Sequence, residues 1–214
     1  MEIKGILFPA LFQTLYMVGL STVFSVAIGF VLSLILVTTQ EGGLKPNKSV
    51  YGILDFIINI LRSFPFIILM IAIFPFTKLI VGKSIGTTAA IVPLTIGASP
   101  FAARVIEGAM KEVDSGLIEA AKSFGASTKH ILFKVLLKEA MPSIVNGITL
   151  TIINLIGYSA MAGAVGGGGL GDVAIKYGYY RFKTDIMVYT VIILILLVQI
   201  TQYIGNVVYK RLAK

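Results

Sequence analysis

The sequence predicts an all-α, polytopic membrane protein with five transmembrane helices per chain. Two observations carry most of that expectation. The 214 residues are 57% hydrophobic and 13% charged, against ~25% charged in an ordinary soluble domain. The charges also fall in short islands between apolar tracts long enough to cross a hydrocarbon layer ~30 Å thick, which takes about 20 residues of helix. Mean hydropathy, at +0.93, agrees. A disordered tail, a disulfide-stapled module and a typical soluble enzyme are excluded. With no cysteine, disulfides, zinc–thiolate sites and cysteine nucleophiles are excluded too. A single histidine, His130, leaves no basis for a metal site. The net charge of +8 would suggest nucleic acid in a soluble chain. Basic edges on membrane segments explain it better, so no nucleic-acid partner is expected.

The whole chain, 1–214, reads as one membrane domain. Gly5 to Gln40 carries no charge and as helix would measure ~54 Å; the first span is placed at about 12–37. It is too long for a signal peptide and lacks the small-residue cleavage site. Ser21, Ser25, Gly29 and Ser33 recur every fourth residue, a small-residue stripe suited to close helix packing in lipid. The second span, about 54–74, holds Asp55 and Arg62, and Pro65 should kink it. The third, about 84–103, contains Pro93 and Pro100. The fourth, about 147–166, lies in the charge-free stretch Ala140 to Gly171, and the fifth is about 186–209. Five crossings put the termini on opposite faces. The larger share of Lys and Arg lies on the side of the first loop (Lys45, Lys48), the third loop (Arg104 to Lys138) and the C-terminus (Lys210, Arg211, Lys214). That side is expected to be cytoplasmic, with the N-terminus outside.

The third loop, about 104–139, is the longest and is not disordered in composition. Asp114 can cap a short helix whose apolar face is Leu117, Ile118, Ala121 and Phe124. Gly125 is a plausible stop. Ser127 can cap a second amphipathic helix carrying Ile131, Leu132, Val135 and Leu136. Such helices need cover from the bundle, from headgroups or from a partner protein.

Glu119-Ala120-Ala121, three residues and then Gly125 resembles the EAA loop of ABC importer permeases. Val135 and Leu137 continue the pattern, but Lys138 stands where proline is usual; the departure should loosen the helix join, with Pro142 taking over. Arg62 to Leu69, Ala90 to Thr95, Gly157 to Met161 and Gly166 to Gly171 look like the methionine branch of that family. The resemblance implies a coupling helix that docks on a cytoplasmic ATPase, through Ser115, Leu117, Glu119, Ala120, Ala121, Phe124 and Gly125. It also implies two permease copies acting as a dimer, two ABC ATPase subunits that bind ATP and Mg, and an extracytoplasmic binding protein, in a bacterial inner membrane. The chain itself would be neither enzyme nor cofactor carrier. Gly82-Lys83-Ser84 ends like a Walker A loop, but Thr77 stands where its first glycine should be. Gly166, Gly168 and Gly171 fit G-x-G-x-x-G but follow a membrane helix, not a strand; a helix end and flexible outer turn is expected.

Gly147, Thr151, Asn154, Tyr158, Met161 and Val165 share one face of span four. Polar groups there point to a translocation path, with Tyr158 and Met161 as a constriction, or to helix–helix glue. Arg62 is costly at membrane depth. It could snorkel, pair with Asp55 one face-repeat away, or touch a substrate carboxylate, while Pro65 and Pro93 shape their helices. The expected function is the permease of an ATP-driven methionine importer. A permease for another small amino acid or sulfur compound, an ion-coupled secondary transporter and a membrane anchor for an enzyme are the alternatives.

Overall fold

The computed structural model describes residues 3–213; Lys214, counted among the basic residues above, lies outside them. The described residues form helices and connecting turns, with no strand. Four helical segments are long and apolar enough to cross a membrane: α1 (Ile3–Thr39), α5 (Thr87–Lys111), α7 (Thr128–Ala164) and α9 (Thr184–Leu212). Between α1 and α5 lie α2 (Lys48–Ser63), α3 (Phe66–Ala72) and α4 (Phe74–Val81). The short helices α6 (Ser115–Ser123) and α8 (Gly169–Val173), with a π-helical turn over Ala174–Tyr179, complete the described residues.

α5 is the central and most buried span, and α1 packs along it more extensively than any other pair of elements. The small-residue stripe makes that approach. Ser21, Ser25 and Ser33 are fully buried, and a Cβ on Gly29 would lie 2.6 Å from the Ala102 Cβ and 2.8 Å from the Ala103 nitrogen. The hydroxyls do not hang unpaired: Ser33 donates to the Phe30 carbonyl at 2.8 Å, and Ser21 reaches the Ile91 carbonyl across the interface at 3.4 Å. α7 packs on the other side of α5, and α9 lies against α7 with most of its surface turned outward. The main core joins Met17 and Val18 of α1, Phe66 and Met70 of α3, Leu94 and Ala98 of α5, and Leu155 and Ile156 of α7.

The second span departs most from expectation. It is a broken pair, α2 and α3, bent by 102°, so the chain has five crossings only if that pair counts as one. Phe64, before proline, is extended (φ −71°, ψ 128°) and ends α2, and Pro65 starts α3. The proline ring disfavours the helical region at the preceding residue, so a break replaces the kink. α1 begins at Ile3, well before the expected 12, because Leu7 and Ala10 pack with Leu170, Val173 and Ile186 at the far end of the bundle. α5 runs to Lys111, two turns beyond 103, with charged residues on that extension that satisfy one another.

The expected second loop helix is not separate. Thr128–Ala164 is one segment of 37 residues, with a π-helical turn over Ile131–Leu136. Helix passes through the exposed Lys138 and through Pro142, so the join is neither loosened nor moved. The glycine run follows a helix end at Ala164, as expected, but its second half starts a helix anchored to α1. Gln13 Oε1 accepts from the Gly169 N–H at 2.8 Å, and Thr14 Oγ1 from the Leu170 N–H at 2.9 Å. Leu170 is fully buried, and a Cβ on Gly163 would sit 2.2 Å from the Asp172 nitrogen.

Candidate functional site

The loop helix α6 is defined by its caps. The Asp114 carboxylate accepts from the Gly116 N–H at 2.6 Å. At the other end Gly125 adopts φ +74°. Its N–H donates to the Lys122 carbonyl (2.9 Å) and the Ala126 N–H to the Ala121 carbonyl (3.1 Å), a complete Schellman closure. Ser127 then caps the start of α7 by accepting from the His130 N–H at 3.3 Å. The chain therefore reverses sharply between α6 and α7.

α6 has no fully buried residue. Ile118 leans on the cluster of Val37, Ile106, Met110, Leu132 and Leu136, and Ala121 is half-buried. Ser115, Glu119, Ala120 and Gly125 are exposed, together with two large apolar side chains, Leu117 at 45% and Phe124 at 90%. His130 is exposed beside them.

Where α5 meets α2 lies a charged cluster that sequence reasoning missed. Arg104 pairs with Asp55 of α2 and with Glu107 (2.8 Å), and donates to the Asn59 side-chain oxygen at 3.0 Å. Lys111 lies 2.6 Å from the other Glu107 oxygen and 5.7 Å from the centre of the Tyr51 ring. Glu107 is 2% exposed. Two cations flank one buried carboxylate, the arrangement that makes burial of charge tolerable. Arg104, Glu107 and Lys111 recur at three and four residues, and that spacing was the available signal. The pairing conceived for Asp55 with Arg62 is not formed.

The face expected along span four divides. Gly147 packs on Val105, and Thr151 is fully buried with its hydroxyl donating to the Gly147 carbonyl at 2.9 Å. Asn154 and Tyr158 instead line a cavity of about 240 Å³ with Leu61, Arg62, Phe64, Phe66, Leu69, Gly97 and Phe101. The Tyr158 and Phe66 rings stack at 4.3 Å with 3° between planes. Gly97 makes room for them, since a Cβ there would meet Phe66 at 3.0 Å. Met161 lies outside this lining and is 48% exposed. Pro93 is buried within α5, and Pro65 is exposed at the break.

The chain from residue 29 to 214 matches the model of the "Binding-protein-dependent transport system inner membrane component" family. The chain belongs to that family. As a permease of this kind it is a multi-pass membrane protein, and its long outward-facing apolar helices fit that setting. It is 55% identical over 208 residues to the probable D-methionine transport system permease protein MetI of Vibrio cholerae, covering 97% of this chain and 92% of that one. It is 46% identical over 202 residues to the methionine import system permease protein MetP of Bacillus subtilis, covering 94% and 91%. Among solved structures it superposes on a chain of the MetNI methionine ABC transporter in an inward-facing conformation. The TM-score there is 0.96 with 44% identity, covering 98% and 97% of the two chains.

Proposed function

We propose that this permease is the membrane subunit of an ATP-driven, binding-protein-dependent methionine importer, forming the translocation path and coupling it to cytoplasmic ATPase subunits. The observation that carries the coupling role is α6. It is capped at both ends, so its shape is set without a partner, yet it holds Leu117 and Phe124 out in water. An apolar surface on a rigid, preformed helix is what a partner groove takes up at low ordering cost. Ser115, Glu119, Ala120, Ala121 and Gly125 complete the docking face, and the space around Gly125, with nothing within 4 Å of a notional Cβ, admits another backbone.

Two copies enclose a path that one copy cannot, with two ATPases beneath and an extracytoplasmic binding protein opposite. ATP and Mg belong to the ATPases. The basic-rich side, which carries α6, is cytoplasmic; the N-terminus is outside and the C-terminus inside. Closure of the ATPases on ATP draws the two α6 helices together. That motion passes through Ile118 into the cluster joining α1, α5 and α7. Asn154 and Tyr158, with Met161 beyond them, line the path, while Gly147 and Thr151 hold α7 to its neighbours. The testing experiment reconstitutes the permease with its ATPase and binding protein in liposomes. Methionine uptake should require ATP and the binding protein and ignore an imposed ion gradient. Uptake driven by the gradient alone refutes the reading.

A further inference from the structure

Arg62 stands in the last turn of α2, exposed on the chain's surface, and the fold brings it to a cavity beside the break at Pro65. The lining includes Gly97, near the centre of α5, and Phe66, part of the main core. An ionisable side chain on a membrane-spanning segment faces a water-filled space or pairs with an opposite charge. Among the described residues no carboxylate pairs with Arg62. Asp55, one face-repeat back on α2, is taken by Arg104, and no Asp or Glu lines the cavity. The Asn154 amide and the Tyr158 phenol face the same space, their rings and stems held by the Phe66 stack and the packing of α7. The rest of the wall is apolar or aromatic: Leu61, Phe64, Leu69 and Phe101. At about 240 Å³, the cavity is smaller than the ~300 Å³ at the low end of drug-sized pockets, the scale of one small amino acid.

We infer that this cavity is a transit subsite that reads the substrate's α-carboxylate. Arg62 and Asn154 take the carboxylate oxygens, a charge-assisted contact that also neutralises the arginine. The faces of the Tyr158 and Phe101 rings receive the ammonium group, and Leu69 and Phe64 receive the apolar side chain. Binding here is weak, because a site on a path must release what it accepts. The break at Pro65 is what builds it. A straight span would carry Phe64 and Phe66 along one axis, whereas the 102° bend sets both in one wall. The inference rests on the importer reading above and adds where, and by which atoms, the substrate is recognised inside the membrane.

The test uses the assembled permease–ATPase complex in nanodiscs, without binding protein or nucleotide, titrated with L-methionine and with L-methioninol, in which a hydroxymethyl group replaces the carboxylate. The wild-type complex should favour methionine by about tenfold or more, the scale of a hydrogen-bonded ion pair. Arg62→Gln should bring that ratio close to one, Arg62→Lys should keep part of it, and Asn154→Leu should lower it several-fold. A merely structural lesion weakens both ligands alike and leaves the ratio standing, so an unchanged ratio in Arg62→Gln overturns the inference. Should that variant fail to assemble, Arg62→Lys and Asn154→Leu read the same quantity. A wild-type ratio of one, in a complex that imports methionine in liposomes, overturns the subsite alone. A wild-type complex that imports no methionine overturns both readings.

Discussion

Two glycines of α1, ten residues apart, should respond with opposite sign to the same substitution. At Gly29 an added Cβ would lie 2.6 Å from the Ala102 Cβ, 2.8 Å from the Ala103 nitrogen and 3.0 Å from the Ala102 carbonyl carbon. Two of these are backbone atoms of a buried helix and cannot rotate aside. To reach the 3.4 Å of ordinary contact, α1 and α5 must part by roughly 0.8 Å, which forfeits dispersion along the whole stripe. Overpacking of this kind costs about 1–3 kcal/mol. At Gly19 nothing lies within 4 Å, and alanine only removes the flexibility of a helical glycine, a gain of up to about 1 kcal/mol. For a chain of this length each kcal/mol moves the midpoint by about 2–4 °C. Gly29→Ala should therefore unfold roughly 2–12 °C below wild type and Gly19→Ala slightly above it, measured by helical circular dichroism in detergent. Equal midpoints, or the reverse order, refute the claim that the stripe sets the distance between α1 and α5.

Phe124→Ser should leave the unfolding midpoint unchanged, since a side chain 90% exposed contributes within about 0.5 kcal/mol, while the ATPase no longer co-purifies; retained co-purification counts against α6 as the docking helix. Glu107→Leu should destabilise by about 1–3 kcal/mol, because it removes the buried carboxylate between Arg104 and Lys111 while Arg104 keeps Asp55 and Lys111 reaches water, whereas Asp172→Asn, at its pair with the exposed Lys176, should cost at most about 1 kcal/mol. Denaturation of the two variants side by side checks that ordering. Thr14→Val removes the acceptor of the buried Leu170 N–H at about 1–3 kcal/mol, and amide exchange at Leu170 should speed up while exchange in α9 stays as it was.

How much of the site was legible in the sequence follows from how far each signal reaches. Asp114, Gly125 and Ser127 act on their own turn, so their caps were predictable residue by residue. The stripe from Ser21 to Ser33 lies on one helix and needed only the helical period. Arg62 was recognised as an anomaly, but its three possible fates could not be separated along the chain. Its partner depends on Asp55, which closes on Arg104 across 49 residues. The glycine run read as flexible because glycine is flexible by default. It is held because Gln13 and Thr14 return to it from 156 residues away.

Hydropathy and local capping therefore decided by themselves that this chain enters a membrane, roughly where four of its spans lie, and that a short rigid helix stands out between the third and fourth. Those properties are sums over neighbouring residues. Only the tertiary structure decided that the second span breaks at Pro65, that Asp55 serves Arg104, and that Arg62 meets Asn154 and Tyr158 in one cavity. A charged side chain settles on whichever opposite group the packing of distant helices brings within reach, and the order of residues alone does not fix that distance.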